Sequence, residues 1–151
     1  MNWGGSGIEK VVFDWILANV PPGSTVIELG AGHVSTQAFS QHYKTYSVED
    51  NPEYLGHYPV NYIYAPIDKA GWYDIEILKK LLPPKEEQAL VLIDGSNRDN
   101  VLFNLELFNP NAIYLIHDTY RDSMVRLADN IAKALGREAV FHTEGDYWAT
   151  I

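Results

Sequence analysis

Two β-rich runs close the chain, Ala139-Val140-Phe141-His142 and Tyr147-Trp148-Ala149-Thr150-Ile151, and only Thr143-Glu144-Gly145-Asp146 separates them. So short a link cannot carry a crossover, so the two runs pair as an antiparallel hairpin. Everything upstream follows a different pattern. Strands and helical segments alternate, with connections of about the length that parallel pairing needs. A parallel sheet that finishes in an antiparallel hairpin leaves few folds open.

The upstream strands read as Thr25–Leu29, Thr45–Glu49, Val60–Tyr64, Ala89–Ile93 and Ala112–Ile116. The last two are almost continuously apolar, as central strands covered on both faces must be. The first helix is expected over Gly7 to Val20, with Ile8, Val11, Val12, Trp15 and Ile16 as its apolar stripe. Ser6 and Glu9 have capping-box spacing, and Pro21-Pro22-Gly23 stops it. Further helices are expected over Ser35 to His42, from near Asp74 to Leu82, over Arg98 to Phe108 and over Asp122 to Leu135, the last closed by Gly136. The inward residues of the Arg98 segment read as Val101, Leu105 and Phe108, and those of the last helix as Met124, Leu127, Ala128, Ile131 and Leu135.

The 151 residues, 46% hydrophobic and 21% charged, suit one globular domain over 1–151, and with no insertion after the fifth strand no substrate-capping subdomain is expected. With no cysteine, thiolate metal sites, disulfides and cysteine nucleophiles are excluded. The formal charge of −9 argues against a nucleic-acid partner, because phosphate neutralisation needs clustered Lys and Arg. No apolar run approaches the roughly 20 residues that span a membrane, and the N-terminus lacks signal-peptide character. The expected location is cytoplasmic.

The loop after the first strand, Glu28-Leu29-Gly30-Ala31-Gly32, enters a helix whose first turn holds Ser35 and Thr36. Its glycines permit a sharp turn and a close backbone approach to a ligand, and the helix start offers N–H groups to an anion. This much suits a dinucleotide or S-adenosylmethionine, and a plain connection reads the same way. Two features tilt the choice. Glu28 would repel a pyrophosphate but suits the ammonium of a methionine moiety, and His33-Val34-Ser35 stands where a dinucleotide fingerprint has its third glycine. The second strand ends on Glu49, a carboxylate about 20 residues past the glycines that can hold ribose hydroxyls. Asp50 stands beside it, although with Asn51 and Pro52 it also begins the next turn.

These segments resemble class I S-adenosylmethionine-dependent methyltransferases, in their small bacterial-type branch. Glu28-Leu29-Gly30-Ala31-Gly32 with Ser35-Thr36 is similar to their first motif, and Ser47-Val48-Glu49-Asp50-Asn51-Pro52-Glu53 to their acidic second motif. Ile93-Asp94-Gly95-Ser96 and Ile116-His117-Asp118-Thr119-Tyr120-Arg121 resemble the segments after their fourth and fifth strands, and Ala65-Pro66-Ile67 to Asp74 also matches that branch. The resemblance runs in order along nearly the whole chain. It implies a Rossmann-like α/β fold, a seven-stranded mostly parallel sheet in the order 3-2-1-4-5-7-6 with strand seven antiparallel and helices on both faces. It also implies S-adenosylmethionine as cofactor, with Gly30, Ala31, Gly32 and His33 around the methionine part, Glu49 on the ribose, Pro66 and Ile67 flanking the adenine, Asp68 at its amine, and Asp94 closing the site.

Methyl transfer rests on holding nucleophile and methyl in line, and a hydroxyl acceptor also needs a base or metal. The residues at the ends of strands four and five are Asp94, Asn97, Arg98, His117, Asp118 and Arg121. Asp94, His117 and Asp118 are the catalytic candidates. His117 can serve as base, or it can make structural hydrogen bonds while Asp118 caps the final helix. His117-Asp118 stands where metal-dependent O-methyltransferases show Asp-Asn, so no metal is assigned. Trp3 with Gly4-Gly5 could close over the methionine end, and Trp72 could lie by the crevice. The expected acceptor is a small molecule, sugar or peptide group. Two other functions share the pattern: a non-catalytic S-adenosylmethionine-binding protein, and an NAD(P)-dependent oxidoreductase.

Overall fold

A computed structural model describes residue 3 and residues 7–151. Seven strands form one sheet: β1 (Thr25–Leu29), β2 (Lys44–Glu49), β3 (Asn61–Tyr64), β4 (Gln88–Ile93), β5 (Ile113–His117), β6 (Val140–His142) and β7 (Trp148–Thr150). Their order is β3-β2-β1-β4-β5-β7-β6. The pairs from β3 to β5 are parallel, and β7 runs antiparallel to both β5 and β6. The expected order and the terminal hairpin are both present.

Alternation along the central strands divides the core into two layers. Ile27, Leu29, Val91, Ile93, Tyr114 and Ile116 face α3 (Ile75–Leu81), α4 (Asp122–Leu135) and the 3-10 segment Arg98–Leu107. Val26, Leu90, Leu92, Leu115 and Trp148 face α1 (Lys10–Asn19) and α2 (Ser35–His42). Four of the five residues in α4's expected stripe (Met124, Leu127, Ala128 and Ile131) are buried; Leu135 packs against the core from its rim. Gly136 ends the helix at φ 67°, a left-handed conformation that costs glycine little.

Three local expectations are corrected. The first helix begins at Lys10 after Glu9, which provides no side-chain cap, and the Ser6 half of the expected capping box lies outside the described residues. In its stripe Phe13 is buried, whereas Val11 is 38% exposed. The segment from Arg98 is 3-10 and breaks at Asn104. There Asn100 and Asn104 donate side-chain hydrogen bonds to the carbonyls of Asn97 and Asn100, drawing the backbone away from regular α-helix. No helix among the described residues is long and apolar enough to cross a membrane.

Candidate functional site

The C-terminal ends of β1, β2, β4 and β5 converge, as open α/β sheets require of a ligand crevice. Gly30 turns the chain off β1 at φ 100°, and a Cβ there would lie 2.6 Å from Gly95 Cα. Gly95 is equally confined: a Cβ on it would strike the hydroxyl of Tyr73 and come within 3.0 Å of the Leu29 carbonyl. The loops after β1 and β4 therefore touch backbone to backbone, which only glycine allows. The Tyr73 hydroxyl beneath them is buried without a hydrogen-bond partner, and burial drives its pKa up.

Two adjoining cavities of about 220 and 400 Å³ open above this contact. Gly30, Ala31, Tyr54 and Asp94 line both; Gly32, His33 and Val34 extend the first, and Glu49, Asp50 and Gly95 the second. Glu49 ties the crevice together. One carboxylate oxygen accepts from the Ala31 amide at 2.9 Å, and the other from the amides of Asp50 and Asn51 at 2.9 Å each. Burial, more than any neighbour, raises its pKa. Among the described residues the amides of His33 and Val34 make no hydrogen bond and stand at the wall of the first cavity, ahead of α2. Tyr54, from the turn after β2, was not singled out in the sequence, because a lone tyrosine in a loop carries no periodic signal.

Glu28 is placed differently from its expectation. It has no exposed surface, and its carboxylate accepts from the hydroxyls of Ser35, Thr36 (2.7 Å) and Ser47 (2.7 Å). Burial pushes its pKa up to about 7 against those three hydrogen bonds. It pins α2 and β2 to β1 behind the loop and lines neither cavity. Its alternation along β1 explains this: it points with Val26 toward the α2 face. Pro66 and Ile67 line neither cavity. Ile67 forms an antiparallel bridge to Tyr73, and the Pro66 carbonyl accepts from the Asp74 amide. The Asp68 side chain accepts from Ala70 and so starts a turn. Trp72 is buried in the core, and Trp3 packs on Phe13 with ring centroids 5.5 Å apart; Gly4 and Gly5 lie outside the described residues.

At the ends of β4 and β5, Asp94, His117 and Asp118 do come together. Arg98 is their hub: its guanidinium reaches Asp118 at 2.8 Å, Asp94 at 3.1 Å and the His117 carbonyl at 3.0 Å. His117 places Nδ1 3.2 Å from Asp94 and 3.3 Å from Asp118, and Nε2 2.7 Å from Asp146. Burial alone would lower its pKa, but the hydrogen bonds to Asp94 and Asp146 and the charges of Asp94 and Asp118 carry it up to about 9. These contacts favour the charged ring, so of the two expectations for His117 the geometry supports structural hydrogen bonding over service as a base. Asp118 does not cap α4, whose cap position is Arg121; its side chain is spent on Arg98 and His117, and its backbone is held at φ 63°. A non-glycine residue in this region stores strain, which recurs at functional sites. Asn97 instead donates to the Gly71 carbonyl, and Arg121 lies over the Tyr120 ring at the rim. Ligand atoms of Asp94, His117 and Asp118 fall within 4.8 Å of one another, a spacing one cation can bridge, and Arg98 already supplies a cation to both carboxylates.

Asp146 was missed in the sequence, where it read as hairpin linker. Its place follows from the register of the folded sheet: His117 pairs with Trp148 on β7, which sets the residue two positions before Trp148 beside the imidazole.

No family model matches the chain, and no curated protein matches its sequence. Solved structures do match its shape. A precorrin-8w decarboxylase of Methanobacterium thermoautotrophicum superposes with TM-score 0.61 at 12% identity, over 98% of this chain and 91% of that one. A TehB-like SAM-dependent methyltransferase of Corynebacterium glutamicum gives 0.52 at 12% identity, over 91% and 83%. The fold is the Rossmann-like methyltransferase fold. The MycE methyltransferase of the mycinamycin pathway, in complex with Mg and SAH, gives 0.58 at 12% identity over 93% of this chain, which spans 44% of that protein. At this identity the likeness is one of fold.

Proposed function

We propose that the chain is an S-adenosylmethionine-dependent methyltransferase acting on a small-molecule, sugar or peptide acceptor, with hydroxyl acceptors first in line. One observation carries the reading: Glu49 at the tip of β2 bonds the Ala31 amide, which joins the glycine loop, the acidic strand end and Asp94 in one crevice. The residues suit the cofactor chemically. Glu49 and Asp50 offer acceptors to ribose hydroxyls, the free amides of His33 and Val34 at the start of α2 suit a carboxylate, and Asp94 offers its charge near a cationic centre. Pro66 and Ile67 remain the proposed adenine side. When bound, the cofactor supplies a methyl group activated on a sulfonium.

For this chain the remaining work is positioning and proton handling. His117, charged below about pH 9, organises Asp94, Asp118 and Asp146 and takes no proton from an acceptor at neutral pH. Asp118 is the most open of the three carboxylates, with its side chain 18% exposed, and with Asp94 is proposed to position the acceptor. The reading of binding without catalysis has its own support, since Arg98 and His117 already engage all three carboxylates.

Thermal-shift measurements with S-adenosylmethionine, S-adenosylhomocysteine and NAD test the cofactor. Both sulfur compounds should raise Tm, by about 3 kcal/mol of stabilisation at a hundredfold excess over Kd. Stabilisation by NAD alone would overturn the proposal. Binding without release of S-adenosylhomocysteine across an acceptor panel would favour the non-catalytic reading.

A further inference from the structure

Beside α4 the segment Arg98–Leu107 borders a groove of about 340 Å³ whose walls include Leu102, Leu127 and Asn130. Phe103 stands at its edge, 75% exposed, the most exposed of the large hydrophobic side chains among the described residues. Asp99 and Arg126 line the same groove. Both are exposed, and among the described residues neither forms an ion pair. One face therefore presents an aromatic knob, a hole, an unpaired anion and an unpaired cation.

We propose that this face is the self-association surface of a symmetric homodimer. A two-fold axis brings each feature onto its complement: Phe103 of each copy enters the groove of the other, and Arg126 of each copy meets Asp99 of the other. Ser123, Arg126, Leu127 and Asn130 follow one line along α4, and the short Ser123 and Asn130 side chains let two such helices approach. The charge of −9 makes two copies repel at long range, so association depends on this local match of opposite charges. Asp99 directly follows Arg98, so the dimer would also steady the segment that holds Asp94 and Asp118.

Sedimentation velocity over a wide concentration range tests it on the full chain, with circular dichroism confirming that each variant is folded. Wild type should dimerise reversibly. Asp99→Arg and Arg126→Asp should each weaken the dimer at least about tenfold, and Phe103→Ser similarly. The double variant Asp99→Arg with Arg126→Asp should regain most of the loss, because the pair re-forms with its signs exchanged. A wild-type monomer at every concentration would overturn the proposal. So would a dimer indifferent to these substitutions, or a double variant no better than the singles.

Discussion

His117 is the residue whose chemistry changed most between sequence and structure. Histidine after a fifth strand reads as a base poised near neutrality. Three carboxylates around one buried imidazole favour its charged form instead. Its NMR titration should show a midpoint near 9, and Asp146→Asn should lower that midpoint by roughly one pH unit, since it removes one charged acceptor from Nε2. A wild-type midpoint at the ordinary 6.5 would refute the network as drawn. Asp94 and Asp118 were legible because they sit at strand ends, where the chain order alone places them. Asp146 was not, because its approach to His117 comes from 29 residues downstream and only pairing of β7 with β5 brings it there.

At the scale of elements, the glycine loop carries two separable demands. Gly30 is confined by Gly95 in the fold itself, whereas a Cβ on Gly32 would meet only Ser35 Oγ at an ordinary 3.6 Å. Gly30→Val should therefore destabilise the protein by roughly 2–4 kcal/mol whether or not a ligand is present. Gly32→Ala should keep the wild-type Tm and weaken S-adenosylhomocysteine about tenfold by standing between backbone and ligand. Unchanged affinity in a folded Gly32→Ala protein would count against close approach at that residue. The helices show a similar division. Periodicity located α2, α3 and α4, since their buried faces repeat every turn. It gave too regular a picture of residues 98–107, where Asn100 and Asn104 bond the backbone and the helical pattern survives only as the burial of Val101, Leu107 and Phe108.

Over the whole molecule, two buried groups make stability fall as pH rises. Glu28 has a folded pKa of about 7 against an ordinary 4.5, so its contribution is complete below 4.5 and is lost as pH rises through 7, on the order of 3 kcal/mol. His117 works in the same sense in the next window: stabilising below 6.5, lost as pH climbs through about 9. Urea unfolding at about pH 5, 7 and 9 should show a continuous decline. Glu28→Gln should flatten its lower half and leave the upper half intact; a variant that tracks wild type throughout would remove Glu28 from the account.

The alternation of strands and helices, the terminal hairpin and the cofactor-type loop were determined by the sequence itself. Each depends on contacts between near neighbours or on a repeat that the chain writes along its own length: alternating apolar runs, a four-residue link, glycines at a turn. Tertiary structure alone decided which way Glu28 points, what surrounds His117, and that Tyr54 and Asp146 belong to the site. Those depend on the side of the sheet a residue faces and on which distant segment arrives beside it. Charge states follow from the same cause, because a pKa is set by burial and by neighbours that only the folded chain assembles.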